Sequence, residues 1–313
     1  MVCIDFMNVG YGDSILIRER QGHREFRMLV DCGGPVACGG KGCRITPAEY
    51  LRKANIDSLD VLLITHLHLD HTDGLMDVLR QTDVGELWAA YVPELPGRQA
   101  QAPKGCSAGA EELVYSVNGY SRALKYASDN GVLVRRIGAD IPAFKPGKGE
   151  LAIELLTGPP DFYIWQANVL DKALCGGLDR DDMERLDLTV NDHSLILLLD
   201  SMGKRIILPG DCVASVLERY VEGPCDVLKL PHHGRDNSVT ETLMRELRPQ
   251  YTVVSVADDM PGCPDILAME LAARYSRRLL YTDAVSLYGE EPSRHEAVMF
   301  RIEDGDLELL NRI

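Results

Sequence analysis

The chain has 313 residues, and 45% of them are hydrophobic, which is ordinary for a globular protein. Its formal net charge of −15 argues against tight, unaided binding to long DNA, because an extended nucleic-acid groove carries a basic patch. We expect no membrane segment, since no apolar run approaches the required length and residues 1–10 lack the features of a signal peptide. Nine cysteines at irregular spacing favour free thiols and a cytoplasmic location.

Acidic residues follow the first predicted strands. Residues 3–17 are predicted to form two strands joined by a glycine turn that carries Asp13. Residues 26–30 form a third strand, and Asp31 follows it directly. Asp31 either accepts backbone N–H groups and braces the next loop, or it is a simple turn residue. Residues 32–44 contain five glycines and predict a mobile loop rather than a small metal site.

The stretch 61–74 combines a strand with a cluster of metal-binding side chains. Residues 61–64 form an unbroken apolar run, typical of a strand buried on both faces. A helix is expected to begin near Thr72. The candidate ligands between them are His66, His68, Asp70 and His71. Because two histidines spaced by two project to the same side of an extended chain, this turn can offer one ligand pair to each of two metals.

Predicted helices and strands alternate around this motif. They are helices over 47–55 (capped by Thr46), 75–80 and 111–130, strands over 85–92, 132–137 and 151–157, and loops over 95–109 and 144–150. Residues 161–187 differ, because an apolar stretch is followed by two glycines and a charged run. We interpret them as a partly helical insertion that covers the site or meets a partner. A solvated surface excursion is the alternative.

Polar and ionisable residues lie at the ends of three later predicted strands. The strands cover 195–199, 204–208 and 227–230. The residues are Asn191, His193 and Ser194 before the first, Asp211 after the second, and His232 and His233 after the third. Loops at strand ends are where rigid scaffolds build functional sites. Helices over 240–248 and 264–277 and strands over 251–256, 279–282 and 297–302 complete the pattern.

No composition shift, repeat or low-complexity segment divides the chain, so we predict a single domain over residues 1–313. Its strands fall into two groups, with helices between and outside them. This arrangement predicts an α/β (α+β) protein built as a four-layer αββα sandwich.

Several motifs, in order, resemble the metallo-β-lactamase superfamily and, within it, the metallo-β-lactamase domain of the ComEC competence proteins. They are Asn-Val-Gly-Tyr-Gly-Asp-Ser at 8–14, Val-Asp-Cys-Gly-Gly at 30–34, Thr-His-Leu-His-Leu-Asp-His-Thr-Asp-Gly at 65–74, Asn-Asp-His-Ser-Leu at 191–195, Leu-Pro-Gly-Asp at 208–211, Leu-Lys-Leu-Pro-His-His-Gly at 228–234 and Thr-Asp at 282–283. The resemblance implies the metallo-β-lactamase sandwich and a dinuclear hydrolase, typically a nuclease or phosphodiesterase.

The resemblance also implies a ligand set. One metal would take His66 and His68, the other would take Asp70 and His71, and Asp211 would bridge the two. His232 or His233 would complete the second metal, and the other histidine would bind substrate oxygens or donate a proton. The candidates for direct catalytic roles are Asp70, His232 and His193, and the candidates for supporting roles are Asp13, Asp31, Asn191 and Ser194.

Two positions depart from the pattern of the relatives. Many superfamily members supply a further histidine to the first metal from the segment 191–194, where this chain has His193 between polar residues. His193 is therefore a ligand, a substrate contact or a variable position. Cys263 stands where relatives have a histidine before the proline, which puts a substrate or proton-transfer role of that position in doubt.

The resemblance leads to the hypothesis of metal-assisted hydrolysis of a phosphodiester, with DNA or another nucleic-acid-type phosphodiester as substrate. Mixed imidazole and carboxylate ligands suit two Zn²⁺ ions, with Mn²⁺ as the alternative. Because the chain is acidic, a protein partner that supplies substrate affinity is expected, and a membrane partner is not. An ester, lactone or lactam hydrolase is the alternative enzyme, and a binding or scaffold module is the alternative without catalysis.

Overall fold

The strands form two sheets within residues 1–34, 43–257, 262–283 and 295–310, which are the residues that the computed structural model describes. The loop predicted over 32–44 lies largely outside them. The first sheet has the strand order β15-β14-β1-β2-β3-β4-β5-β6. These strands are β1 (Val2–Met7), β2 (Ile15–Gln21), β3 (Arg24–Val30), β4 (Ser58–Ile64), β5 (Asp83–Ala89), β6 (Leu133–Arg136), β14 (Ala297–Glu303) and β15 (Asp306–Leu310).

The second sheet has the order β13-β12-β11-β10-β9-β8-β7. Its strands are β7 (Ile141–Phe144), β8 (Leu151–Leu156), β9 (Ile196–Ser201), β10 (Lys204–Leu208), β11 (Val227–Lys229), β12 (Tyr251–Val254) and β13 (Arg278–Tyr281). Both sheets mix parallel and antiparallel pairs, as β3 is parallel to β4 and antiparallel to β2, and β10 is parallel to β11 and antiparallel to β9.

Helices cover the outer faces of both sheets. The helices are α1 (Pro47–Lys53), α2 (Leu69–Thr72), α3 (Leu75–Gln81), α4 (Ala108–Asp129), α5 (Pro160–Leu174), α6 (Arg180–Thr189), α7 (Ala214–Leu217), α8 (Glu241–Leu247) and α9 (Ile266–Tyr275). Buried side chains of α1 and α3 to α6 pack on the first sheet, and those of α7 to α9 pack on the second. The four-layer αββα prediction is confirmed.

Strand β4 shows how the layers are held together. Leu63 belongs to the apolar core between the two sheets, whereas Leu62 belongs to the core between the first sheet and its helices. Neither side chain is exposed. The unbroken apolar run over 61–64 therefore forms a strand buried on both faces, as predicted.

Strand direction brings the candidate residues to one edge of the sandwich. β3 and β4 are parallel, and so are β10 and β11, so within each pair the carboxyl ends lie side by side. The edges of the two sheets are joined by a hydrogen bond from Leu195 N to Thr65 O of 3.0 Å. Loops that follow four strands can therefore meet across the sandwich.

One local prediction was wrong, and two strands were missed. The helix expected near Thr72 begins at Leu69, because the backbone of His68 is extended and His68 O accepts the N–H of His71 at 3.1 Å. Strand β7 was missed, although the turn predicted over 144–150 follows it; β7 tolerates Pro142 because it lies at the sheet edge. Strand β15 was missed, although the Asp-Gly pair at 304–305 is a strong hairpin signal.

The segment 161–187 is packed into the protein. Tyr163, Leu170, Met183 and Leu186 are each at most 2% exposed, and α5 and α6 contribute to the core on the first sheet. A solvated surface excursion is therefore wrong, whereas the status of this segment as an insertion stays a prediction. All cysteines within the described residues are free thiols, as expected.

Candidate metal centre

The loops that follow four strands converge on one buried site. The loop after β1 carries Asp13, the loop after β4 leads into α2 with Asp70, and Asp13 N donates to Asp70 O over 3.2 Å. Asp211 follows β10, and His233 follows β11. At this edge of the sandwich, side chains that are far apart in sequence come into contact.

Four of the predicted ligands form one cluster. Asp70, His71, Asp211 and His233 are buried, and one potential ligand atom of each lies within 4.8 Å of the corresponding atoms of the others. His233 Nε2 lies 3.0 Å from Asp70 Oδ2 and 3.2 Å from Asp211 Oδ2, and His71 Nε2 lies 3.3 Å from Asp211 Oδ2. The cluster offers two imidazole nitrogens and two carboxylates, a donor set suited to a divalent metal.

The imidazole rings are held by their outer nitrogens. His71 Nδ1 lies 2.8 Å from Asp31 Oδ2, and His233 Nδ1 lies 3.0 Å from Ser255 O. His66 Nδ1 lies 3.1 Å from Thr65 Oγ1. In the described part of the chain, His66 Nε2 is buried without a hydrogen-bond partner, whereas the Nε2 atoms of His71 and His233 face cluster carboxylates at 3.0–3.3 Å outside hydrogen-bond geometry.

The buried imidazole nitrogens of the site are arranged as metal ligands would be. A buried polar atom without a partner is costly, and metal-binding histidines characteristically use their second nitrogen for a carboxylate, hydroxyl or carbonyl. The residues present therefore fit a metal. Burial and the neighbouring His71 lower the pKa of His66, so that this ring is neutral and able to bind one.

Asp31 links Thr65, which directly follows β4, to His71 in α2. Its carboxylate accepts Thr65 N at 2.8 Å and Thr65 Oγ1 at 2.7 Å, besides contacting His71. The backbone of Asp31 is left-handed, with φ +60°. Of the two interpretations made from the sequence, the structure places Asp31 as a brace for the loop that carries the ligands.

The charges of the cluster shift its pKa values. Burial acts to raise the pKa of Asp211, but the charges of His233 and His71 outweigh it and hold that pKa well below its usual range. Burial acts to lower the pKa of His71, but neighbouring carboxylates, Asp211 first, outweigh it and raise the pKa. Without a metal, the cluster is thus held together by ion pairs.

The structure separates the roles of the two adjacent histidines. His233 belongs to the cluster, whereas His232 does not and has Nδ1 2.9 Å from Asn237 Oδ1 and Nε2 3.3 Å from Asn191 Nδ2. Both residues have left-handed backbones, with φ +46° and +55°. Such strain is stored at functional turns when the surroundings impose it.

Cys263 stabilises this turn. Its thiol donates to His233 O over 2.8 Å. Burial raises the pKa of Cys263 to about 12, so the thiol stays protonated at neutral pH. The structure therefore gives this position a bracing contact and no proton-transfer role.

His66 and His68 lie on the other side of His71. The ring of His66 is 4.1 Å from that of His71 and 5.0 Å from that of His68. His68 is partly exposed, and its Nε2 lies 3.6 Å from Asp187 Oδ1 of α6. The segment 161–187 thus reaches the first predicted metal position through Asp187.

His193 is not part of the four-residue cluster. Its ring stacks on Phe162 with 3.5 Å between ring centroids, and its Nδ1 lies 2.9 Å from Thr189 O. Ser194 accepts Asp211 N through its hydroxyl at 3.3 Å. Of the segment 191–194, Ser194 thus contacts a cluster residue, Asn191 contacts His232, and His193 packs on α5.

Lys229 is the main residue that the sequence analysis missed. It is 1% exposed, and its ammonium group contacts Asp13 Oδ2 and lies 3.2 Å from Asp211 Oδ1. Burial acts to lower the pKa of Lys229, but the two carboxylates outweigh it and raise the pKa. A lysine inside the apolar run 227–230 was a signal for a buried charged contact, because lysine is almost never fully buried unless paired.

The four-layer sandwich and the His/Asp cluster define the class of the protein. A family model described as the metallo-beta-lactamase superfamily matches residues 7–257, and the chain belongs to this superfamily. Its class is therefore that of metallo-β-lactamase-fold hydrolases, and it carries a candidate site for divalent metals.

Two curated proteins are similar to the chain. ComE operon protein 3 of Bacillus subtilis (strain 168) is 23% identical over 295 residues, which cover 90% of this chain and 32% of that protein. Recombination protein 2 of Haemophilus influenzae is 32% identical over 88 residues, which cover 27% of this chain and 11% of that protein. The chain thus spans a minor part of the length of both relatives.

Two solved structures are also similar to the chain. Zn²⁺-bound PqqB from Methylobacterium extorquens is 12% identical with a TM-score of 0.47, and the match covers 96% of this chain and all of that one. A diphosphatase from the PhnP family is 14% identical with a TM-score of 0.45, and the match covers 97% of this chain and 98% of that one. Among the described residues, no helix combines the length and apolar character needed to cross a membrane.

Proposed function

We propose that the chain is a metal-dependent phosphodiesterase that acts on DNA or another nucleic-acid-type phosphodiester. The observation that carries the proposal is the buried cluster of Asp70, His71, Asp211 and His233. Beside it, the buried Nε2 of His66 has no hydrogen-bond partner within the described residues. The cluster supplies donors for metal ions where the loops of a rigid sandwich meet.

The residues divide between two metal positions. His66 and His68 would hold the first ion, and Asp70, His71 and His233 would hold the second, with Asp211 between them. When bound, two divalent ions, zinc or manganese, would supply a water of lowered pKa and positive charge for the phosphoryl oxygens. Asp31 and Thr65 keep the rings oriented before any ion binds, so little reorganisation is required.

His232 fits a role in substrate binding. Burial lowers the pKa of His232, so the ring is neutral at pH 7. With Nδ1 beside Asn237 Oδ1, its Nε2 accepts from Asn191 Nδ2 at 3.3 Å. A neutral ring is poorly suited to donate a proton, so we favour a role for His232 in substrate binding, through the Asn191 amide that it holds and that can turn to a substrate oxygen.

Arg235 and Tyr11 add donors suited to an anionic substrate. The ring of Tyr11 lies 5.8 Å from that of His233, and burial raises the pKa of Tyr11, which keeps the phenol protonated. Arg235 follows the histidine turn, and its charge acts to lower the pKa of both Tyr11 and His232. A guanidinium and a phenol beside the metal site can bind the non-bridging oxygens of a phosphodiester.

Similarity to the two curated relatives supports a nucleic-acid substrate. One of them is named for recombination, and the other matches 90% of this chain. The net charge of −15 opposes unaided binding to long DNA, so a basic protein partner would supply the substrate affinity. We therefore include such a protein partner in the proposed function.

The same net charge favours one alternative. A neutral ester, lactone or lactam would meet no electrostatic repulsion from a chain of charge −15. The metal centre would be unchanged in that case, and the scissile bond would differ.

A substrate panel tests the proposal. Wild type and Asp211→Ala, each supplied with manganese or zinc, would be assayed on linear and circular DNA, RNA, bis-p-nitrophenyl phosphate and a lactone. We expect the phosphodiesters to be cleaved by wild type and not by Asp211→Ala. Turnover of the lactone alone would establish the alternative. Two bound metals without any turnover would point to a binding or scaffold module.

A further inference from the structure

Lys229 is a buried cation in an otherwise apolar strand. It lies between Leu228 and Leu230, which are not exposed, and is itself 1% exposed. Its ammonium group donates to Gly210 O at 2.9 Å and to Asp211 Oδ1 at 3.2 Å, and it contacts Asp13 Oδ2. Burying an ammonium is costly unless its protons are all used, and these three acceptors use them.

The two oxygens of Asp211 face different partners as a result. Oδ1 faces Lys229, whereas Oδ2 lies 3.3 Å from His71 Nε2 and 3.2 Å from His233 Nε2. Ser194 Oγ accepts Asp211 N at 3.3 Å, which helps to hold the backbone in place. One carboxylate oxygen thus contacts Lys229, and the other faces the two histidine nitrogens of the cluster.

We propose that Lys229 is a positioning residue that reserves a single oxygen of Asp211, Oδ2, for the metal ions. The inference rests on the proposed dinuclear centre but not on the identity of the substrate. With Oδ1 held by Lys229, Asp211 would offer the ions Oδ2 alone, and a single shared oxygen would couple two ions strongly. Without Lys229, the carboxylate is free to turn or to use both oxygens.

Asp13 balances the charge of Lys229. Its Oδ1 is buried without a hydrogen-bond partner in the described structure and lies 4.0 Å from His233 Nδ1. Removing Lys229 alone would leave two carboxylates uncompensated, and the added negative charge would by itself attract cations. The double variant Asp13→Asn/Lys229→Met removes one charge of each sign, so it separates orientation from net charge.

Manganese titration followed by electron paramagnetic resonance tests this role. The free Mn²⁺ signal gives stoichiometry and affinity, and the exchange-coupled signal reports how the two ions are bridged. We expect two coupled ions in wild type and in Asp13→Asn, which keeps the contact of Lys229 with Asp211. In Asp13→Asn/Lys229→Met we expect an altered coupling pattern and an affinity lower by about 10–100-fold, as for other residues that orient metal ligands.

The outcomes distinguish the inference from the proposed function. Fewer than two manganese ions bound to wild type would contradict the dinuclear centre itself. Two ions in wild type, with the same coupling and affinity in the double variant, would overturn the role of Lys229. If circular dichroism shows that the double variant is unfolded, the single variant Asp13→Asn is compared with wild type. Altered coupling in Asp13→Asn would overturn the role of Lys229, because it would assign the orientation of the Asp211 carboxylate to Asp13 instead.

Discussion

Asp31 Oδ2 lies 2.8 Å from His71 Nδ1 and accepts the Thr65 hydroxyl at 2.7 Å. The contact fixes which nitrogen of His71 faces the cluster, because Nδ1 is occupied by Asp31 and Nε2 is left to face Asp211 Oδ2 at 3.3 Å. A carboxylate behind a histidine ligand also raises the basicity of the ring. The ligand is thus oriented by the fold before a metal binds.

Asp31→Asn should weaken metal binding by about 10–100-fold, because an amide has a single acceptor oxygen and cannot accept from Thr65 N as well as from the Thr65 hydroxyl and His71 Nδ1. Asparagine tolerates the left-handed backbone of residue 31, so the fold should persist. Zinc titration by calorimetry measures the change. Asp57→Asn is the control, since the side chain of Asp57 is 95% exposed. Equal affinities for the two variants would contradict the role of Asp31.

Substitution of the two adjacent histidines should have different effects. His233→Ala removes a cluster donor, so the protein should bind one metal fewer and lose activity. His232→Ala should keep the wild-type metal content and raise KM for a phosphodiester, because His232 lies outside the cluster and faces Asn191. Metal analysis and steady-state kinetics measure both. A loss of metal from His232→Ala with none from His233→Ala would reverse the assignment.

The metal-free protein should lose stability between about pH 6.5 and pH 9. Burial acts to lower the pKa of His233, but Asp211 and Asp70 raise it to about 9. A folded-state pKa above the unfolded value gives stability that is complete below the unfolded pKa and is lost as pH rises through the folded pKa.

Thermal unfolding in the presence of a chelator measures this effect. Tm should fall across the interval in wild type, and it should fall less in His233→Gln, which lacks the titrating group. Added metal should reverse the trend, because protons and metal compete for the same nitrogens. A flat or rising Tm in the chelated wild-type protein would contradict the ion pairs of the cluster.

Gly12→Ala should be strongly destabilising. An added Cβ would lie 1.8 Å from Asp70 O, and Gly12 has φ +105°. We expect a loss of more than about 3 kcal/mol in unfolding free energy, or no soluble protein. Gly22→Ala is the matched control, because Gly22 also has positive φ (+62°) but has no atom within 4 Å of the added Cβ, so it should cost about 1–2 kcal/mol. Urea unfolding compares them, and similar midpoints would contradict the close approach.

The layered fold and the principal cluster could be predicted because they follow from local patterns. The apolar run over 61–64 and the short spacing from His66 to His71 are readable from the chain itself. Asp211, which is far away in sequence, was found because it also follows a strand and lies in a recognisable motif. Strand ends are a small set of positions, and the pairing of parallel strands brings them together.

Features that depend on backbone strain or on distant contacts could not be predicted. The choice between His232 and His233 is made by two left-handed residues, a conformation that histidine adopts only when its surroundings impose it. The contact between Lys229 and Asp13 joins residues that are far apart in the chain. The early start of α2 depends on the extended backbone of His68. Tertiary structure decides each of these features.

Metal content tests the central claim of a two-metal centre most directly. The protein would be loaded with zinc, freed of excess metal, and analysed by inductively coupled plasma mass spectrometry as wild type and as His66→Ala/His68→Ala. Two ions per chain are expected in wild type. One ion is expected in the variant, because Asp70, His71, Asp211 and His233 remain clustered. An unchanged metal content in the variant, or no bound metal in wild type, would contradict the centre described for this chain.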